Sequence, residues 1–291
     1  MRIKNIRPID PVLSKCISVD NTNKLFAIGK NNLLTRNSVA QQNIIIIGCL
    51  LRPKHWCILG IDLKRVELSR YRKFGMSVAT DLETAIEFLR FGQAVMMKRY
   101  EKLEELGENN FMDLPEKSQA LLIMIDELGE LLSPSGVKTE EGKMIDELKG
   151  EAVMIIGSIA RLGRAAGVHL VLATQRPDAK ILPGEVRNNF GVRIGCGRFD
   201  STASTMMFNS NAGCRIRGNP KGGMYIQIHG QGVMGQGFFA PNNWLEEYYE
   251  RTGTTPELDN SAIGDIPDQV EQKEKSDALS DWDDDMDDFI D

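Results

Sequence analysis

The run Leu121-Leu122-Ile123-Met124-Ile125 is five apolar residues without a polar interruption, and it ends abruptly in Asp126-Glu127. A half-buried strand alternates apolar and polar residues. A short run that does not alternate, bounded by polar residues, reads as a strand covered on both faces. Such strands belong to parallel sheets packed between helices, and the rest of the chain supplies both parts. Trp56 to Ile61 is a short apolar strand ending at Asp62, His169 to Ala173 is another, and Val192 to Gly195 and Met224 to Ile228 read as further strands. Helical patterns lie between them, from Asp81 to Leu106 and from Glu151 to Ala166, the second closed by Gly167. Pro115 breaks the chain, and the polar, glycine-bearing segment from Ser133 to Gly150 reads as a loop with a helical piece. Strands alternating with long helices predict an α/β fold with a parallel-sheet core flanked by helices.

The 291 residues, 42% hydrophobic and 26% charged, leave room for one large domain with appendages. No apolar run approaches the roughly 18–20 residues that cross a bilayer, so no membrane partner is expected. The five cysteines (Cys16, Cys49, Cys57, Cys196, Cys214) have neither metal-ligand nor disulfide-framework spacing, and no secretory signal precedes them. A reducing cytoplasm is the expected compartment. His55, His169 and His229 are scattered, and structural roles suit them better than metal ligation.

Charge divides the chain into three. Residues 1–37 carry a net +5, residues 38–255 a net +1, and residues 256–291 a net −12. The near-neutral body offers no global field for nucleic acid, so any DNA contact has to come from a local groove or pore loop. The last segment is poor in apolar residues and rich in acid, and is expected to be a disordered tail. Its end, Asp281-Trp282-Asp283-Asp284-Asp285-Met286-Asp287-Asp288-Phe289-Ile290-Asp291, mixes aromatics with carboxylates. That composition suits a basic, grooved protein partner, or simply a solvated tail.

Two carboxylates at the C-terminal end of a buried parallel strand stand where open α/β sheets bind ligands. The first can hold Mg²⁺ through water and the second can polarise an attacking water. A buried strand with a polar exit is the plain alternative. The other half of a phosphate site would be a glycine-rich loop closing in Gly-Lys-Ser before a helix. A helix is predicted from Val39 to Leu51, stopped by Arg52-Pro53, and Ser38 stands in front of it. The residues before Ser38 are Thr35-Arg36-Asn37, with neither the lysine nor the glycines.

From Ser38 to about Trp244 the sequence resembles the motor domain of the FtsK/SpoIIIE DNA translocases, within the HerA/FtsK group of RecA-like P-loop NTPases. The resemblance rests on Ile61-Asp62-Leu63-Lys64-Arg65-Val66-Glu67-Leu68, on Met97-Lys98-Arg99-Tyr100, on the strand ending Asp126-Glu127, and on the long run from Ile159 through Gly167-Val168-His169 to Thr174-Gln175-Arg176-Pro177. It implies ATP and Mg²⁺ as cofactors, with Ser38 as the Walker A hydroxyl on Mg²⁺ and Asp126 and Glu127 as the Walker B pair. Gln175 would be a polar sensor near the γ-phosphate. Arg161 or Arg164 would be an arginine finger reaching a neighbour's ATP, the alternative being a solvated helix face. It further implies a homo-oligomeric ring, a hexamer in this family, acting on double-stranded DNA. Val186-Arg187-Asn188-Asn189-Phe190 is a possible nucleotide-proximal or pore element. Membrane-spanning and winged-helix modules of the family are not recognisable, which fits a phage or mobile-element motor.

Residues 1–37 read as short strands and turns and resemble the C-terminal end of an intein, a small β-rich segment. The resemblance rests on Lys15-Cys16-Ile17-Ser18-Val19-Asp20, on Leu25-Phe26-Ala27-Ile28-Gly29 and on Leu33-Leu34-Thr35-Arg36-Asn37, followed by Ser38. It implies that Asn37 cyclises and that Ser38 accepts the acyl chain through its hydroxyl. Cys16, with Thr35 near the junction, resembles the class in which this internal cysteine attacks the upstream junction directly; a small buried hydrophobe is the alternative. Arg36 departs from the usual penultimate histidine. The domains expected are therefore an intein fragment (1–37), an ATPase motor (38–255) and an acidic tail (256–291). An N-terminal partner chain carrying the other intein half and the Gly-Lys segment would complete the motor by trans-splicing. A conjugation or packaging motor, or an ATP-dead subunit whose loop has decayed, are the competing readings.

Overall fold

A computed structural model describes residues 5–8, 15–18, 56–114, 119–175, 183–217, 222–237 and 244–253. The helix expected from Val39 to Leu51, the residues Thr35, Asn37 and Ser38, the Arg176-Pro177 pair and the acidic tail lie outside these residues. Two compact units divide the chain, the first formed by Met1–Ile44 with Gln175–Arg251 and the second by Ile45–Thr174 with Thr252–Asp291.

The second unit holds a four-stranded parallel sheet. Its strands are β3 (Trp56–Ile61), β4 (Ser77–Ala79), β5 (Ala120–Ile125) and β6 (Val168–Leu172), in the order β4-β3-β5-β6. β5 is buried at every position, and β3 at all but Trp56, as two-sided coverage requires. Helix α1 (Leu82–Leu106) starts at Asp81, whose side chain accepts from the Thr84 N–H, and stops at Gly107 in the left-handed conformation. Helix α2 (Leu128–Leu132) is a short turn after β5. Helix α3 (Glu140–Ala166) ends at Gly167, again left-handed.

α1 and α3 cover the same face of the sheet. A side chain at Gly92 of α1 would meet Ile123 Cδ1 at 2.5 Å and Ile159 Cδ1 of α3 at 3.5 Å, so the absence of one at Gly92 lets helix and strand approach closely. Arg90 and Glu151 pair across the two helices through two contacts of 2.7 Å. Beneath them Arg99 is buried, donating to the Ala166 carbonyl at 2.7 Å and to the Gln119 carbonyl, with the Phe111 ring 5.4 Å from its guanidinium carbon. It ties the end of α3 to the start of β5. Burial pushes the neighbouring Cys57 thiol up to about 12, which makes it an inert core residue. His169 sits 5.8 Å from the Trp56 ring, a structural position.

Two expectations are corrected in this unit. α3 begins at Glu140 rather than Glu151, with the Thr139 side chain capping the Gly142 N–H, so the helical piece expected between Ser133 and Gly150 is the first part of α3. β4 was not anticipated; it is three residues long and, among the described residues, pairs with β3 alone.

The first unit contains an antiparallel pair, β1 (Asn5–Pro8) with β2 (Lys15–Ser18), in which Cys16 stands opposite Arg7. It also contains an antiparallel sheet, β7 (Val192–Cys196), β8 (Gly223–Ile228) and β9 (Gln231–Gln236). The strands after residue 190 therefore do not extend the parallel pattern. β8 and β9 turn through His229 and Gly230, both at positive φ, the geometry a two-residue hairpin needs. Helix α4 (Gly184–Asn188) precedes β7 and α5 (Ser201–Phe208) follows it. Arg193 of β7 donates to the Met207 carbonyl at 3.0 Å and to the Arg187 carbonyl at 3.2 Å, and so links both helices. Phe208 packs edge-on against Tyr225 at 4.9 Å and Phe199 at 5.7 Å. Helix α6 (Trp244–Thr252) is the last described element.

Candidate active site

β3, β4 and β5 finish at one level. The Asp126 N–H donates to the Ile61 carbonyl at 3.0 Å, and the Asp62 N–H to the Ala79 carbonyl at 2.9 Å. Asp62 and Asp126-Glu127 thus leave adjacent strands side by side at the C-terminal edge of the sheet, where a parallel sheet presents its loops to a ligand.

Asp62 is only 1% exposed, and its carboxylate is fully occupied by its own loop. It accepts from the Leu68 N–H at 2.8 Å, the Ser69 N–H and hydroxyl at 3.1 Å each, and the Val66 N–H at 3.3 Å. These bonds fold residues 62–69 into a compact turn in which Arg65 takes a left-handed φ of 57°, a conformation that is costly for a residue with a Cβ. The turn presents Lys64 outward, 3.1 Å from Glu130 of α2, and holds Glu67 against Arg70 at 3.0 Å. The sequence places Asp62 at a strand end and inside a motif but does not mark it as the hub of a turn. Its partners lie four to seven residues downstream, a spacing that no helix or strand period would show.

Asp126 is half-buried, and among the described residues its carboxylate accepts no hydrogen bond. Burial, then the negative charges of Asp62, Glu67 and Glu127, push its pKa up from 3.8 to about 6, against the pull of Lys64. A half-buried carboxyl with acidic neighbours and no donor is the environment that a hydrated divalent cation relieves, so the residues present fit the Mg²⁺ that the family resemblance implies.

Glu127 caps α2. Its Oε1 accepts from the Gly129 N–H at 3.3 Å and from the Thr174 hydroxyl at 3.0 Å. Leu128 N–H also donates to the Ala173 carbonyl at 2.8 Å. The end of β5 is therefore latched to the end of β6 through Thr174, a residue the sequence reading did not single out. Gln175 follows Thr174 directly and is exposed.

Arg161 and Arg164 lie in the last turns of α3, exposed, on either side of Gly163. Among the described residues neither guanidinium has a partner. β6 starts just after α3 ends, so the end of α3 stands at the N-terminal edge of the sheet. Neither arginine makes a contact with Asp126 or Glu127 among the described residues. The structure thus brings Asp126, Glu127 and Thr174 together but not the two arginines. Of the splicing residues, only the backbone of Cys16 lies in a described strand.

No protein-family model matches the chain. It is homologous, at modest identity, to proteins named DNA translocase. It is 33% identical over 171 residues to FtsK of Chlorobaculum tepidum, covering 52% of this chain and 20% of that protein. FtsK of Caldanaerobacter subterraneus is 26% identical over 257 residues, 82% of this chain and 34% of its own length. SftA of Bacillus subtilis is 28% identical over 220 residues, 70% of this chain and 22% of its own length. The chain therefore spans between a fifth and about a third of the length of these relatives. Among solved structures, the pCW3 conjugation coupling protein TcpA, a monomer form with ATPγS, superposes with a TM-score of 0.61 at 26% identity, over 75% of this chain and 65% of that one. The cytoplasmic domain of the Type VII secretion ATPase EccC from Thermomonospora curvata does so with a TM-score of 0.55 at 19% identity, over 80% of this chain and 27% of that one. The α/β fold, with its parallel four-stranded sheet and flanking helices, is that of P-loop ATPase domains.

Proposed function

We propose that this chain is the body of an ATP-driven double-stranded DNA translocase of the FtsK type, phage- or mobile-element encoded, completed by trans-splicing at Ser38. The observation that carries the reading is the pairing of two facts. The C-terminal edge of the sheet holds a carboxylate cluster built around Asp126, while the sequence in front of Ser38 reads Arg36-Asn37 where a phosphate loop needs Gly-Lys. Asp126 and the Ser38 hydroxyl would hold Mg²⁺, which would supply charge neutralisation on ATP. Glu127, released from its bond to Thr174, would orient the attacking water, and Gln175 would sense the γ-phosphate. The exposure of Arg161 and Arg164, with no contact to Asp126 or Glu127 among the described residues, supports a finger that acts on a neighbour's ATP, and hence a ring, a hexamer by family resemblance.

On this reading Cys16 takes the acyl group from the upstream junction, Ser38 receives it, and Asn37 cyclises to release residues 1–37. Mass spectrometry of the chain mixed with its N-terminal partner tests this. The expected product has lost residues 1–37 and joined the partner's host segment to Ser38. Asn37→Ala should stall at a branched species, Ser38→Ala should stop ligation, and Cys16→Ala should prevent the branch. Retention of residues 1–37 in every ATPase-active preparation would refute the splicing reading and leave a decayed motor. A conjugative-transfer motor is the second reading, favoured by the likeness to the TcpA coupling protein.

A further inference from the structure

The antiparallel sheet β7-β8-β9 has two faces of different character. Val192 stands opposite Ile228, and Ile226 stands between Ile194 and Val233. Side chains alternate along a strand, so Val192, Ile194, Met224, Ile226, Ile228 and Val233 share one face. Gly235 agrees with this phase, since a side chain there would meet Met224 Cγ at 3.5 Å and Ile226 Cδ1 at 3.7 Å. The opposite face carries Arg193, Gly195, Tyr225 and Gln227, and it is covered. A side chain at Gly195 would strike Phe208 and Phe199, the Phe208 ring lies against Tyr225, and Gln227 donates to the Phe208 carbonyl at 3.2 Å. An antiparallel sheet with one face on a core ordinarily turns polar side chains to water on the other. Here that other face holds no charged residue, and Val192, Ile228 and Val233 are 52%, 48% and 40% exposed. A contiguous exposed apolar face of this kind marks an interaction site.

We propose that residues 279–291 of this same chain dock on that face as a helix. Leu279, Trp282, Met286, Phe289 and Ile290 recur at spacings of three, four, three and one, which line one side of a helix. Seven aspartates and Ser280 take the other positions. Aspartate is a poor helix former, so the helix draws its stability from a surface that buries the apolar stripe. Segment and face match in size. Residues 279–291 wound as a helix are about 20 Å long and about 10 Å across. Strands of five and six residues are about 17–20 Å long, and three of them side by side are about 10–15 Å wide. They also match in charge. Residues 183–217 and 222–237 carry Arg187, Arg193, Arg198, Arg215 and Arg217 against only Glu185 and Asp200, whereas every charge in the segment is negative. Leu279 lies 26 residues after Gly253, the last described residue, and that length reaches about 90 Å when extended. Such a tether holds the segment at an effective concentration of about millimolar, which favours it over a second copy or a separate protein. Face and segment both lie beyond Ser38, so the proposal is independent of splicing.

Methyl NMR of the full chain, compared with a chain truncated after Thr255, tests the proposal. The Ile194, Ile226 and Ile228 methyl signals should shift on truncation as the rings of Trp282 and Phe289 leave, while those of the buried Ile123 and Ile156 stay in place. A synthetic peptide of residues 276–291 added to the truncated chain should restore the full-chain positions, and Trp282→Ala in that peptide should weaken its binding at least about tenfold. Ile228→Lys in the full chain places a charge on the docking face at a half-exposed position and should leave Ile194 and Ile226 at their truncated-chain positions. Trp282→Ala combined with Phe289→Ala in the full chain changes no described residue and should do the same, so the test stands even where Ile228→Lys does not fold. Identical Ile194, Ile226 and Ile228 signals in the full and truncated chains would overturn the proposal and leave a solvated tail. Full-chain signals that revert to the truncated positions on dilution, in step with a dimer dissociating in sedimentation, would overturn it in favour of a second copy.

Discussion

Asp126→Asn should stabilise the folded chain while disabling the motor, and the gain should depend on pH. The folded carboxyl is raised from 3.8 to about 6, chiefly by burial and then by Asp62, Glu67 and Glu127. A group whose folded pKa lies above its unfolded one costs nothing at low pH. It withdraws stability as pH climbs from the unfolded value, and the loss is complete above the folded value, here about 6. Each pKa unit is about 1.4 kcal/mol, so the full loss is about 3 kcal/mol, or about 2 kcal/mol once the water reaching a half-buried carboxyl is allowed for. Asparagine keeps the shape and carries no charge to desolvate. Urea unfolding of the unspliced chain should therefore show Asp126→Asn more stable than wild type by about 2 kcal/mol at pH 7.5 and by less than about 0.5 kcal/mol at pH 3.5. A variant that is less stable at pH 7.5, or equally stabilised at both pH values, would refute the assignment of Asp126 as a strained, cation-seeking carboxylate.

Glu127→Gln in the spliced protein should abolish turnover while leaving ATP binding within a few-fold of wild type, measured by steady-state hydrolysis and by nucleotide titration; normal turnover would remove Glu127 from the catalytic account. Asp62→Ala leaves the Leu68 and Ser69 N–H groups without their acceptor in a buried turn, which should cost about 3 kcal/mol in urea unfolding; a loss under about 1 kcal/mol would show that the turn does not depend on the carboxylate. Gly163→Ala drives a methyl group into the Val168 carbonyl oxygen, a backbone atom that cannot step aside, and should lower stability by at least about 2 kcal/mol; a neutral result would mean that α3 and β6 are not seated as described.

The buried strands were legible because their burial is written as unbroken apolar runs. β3 and β5 begin and end within a residue of the sequence reading, and α1 is announced by Asp81 and closed by Gly107. The early start of α3 was hidden by Gly142 and Gly150, which lower helix propensity. Its cap was nonetheless written in Thr139 followed by Glu140-Glu141, and Gly142 is required because any side chain there would strike the Val137 carbonyl. β9, with the sequence Gln-Gly-Val-Met-Gly-Gln, has little strand propensity of its own; it is a strand because the His229-Gly230 turn folds it onto β8. In the site, Asp126 and Glu127 were readable from their place after an apolar run. The latch between Glu127 and Thr174 joins residues 47 apart, and the charge that Asp62 and Glu67 impose on Asp126 exists only once β3 and β5 lie side by side.

The chemistry of this chain should be incomplete until a phosphate loop is joined to Ser38. Mg²⁺-dependent ATP hydrolysis, followed in the purified chain and then in the same chain after mixing with its N-terminal partner, tests it most directly. No hydrolysis above the no-protein blank is expected from the chain alone, and DNA-stimulated hydrolysis should grow in step with the spliced product. Robust Mg²⁺-ATPase activity from the unspliced chain would contradict it.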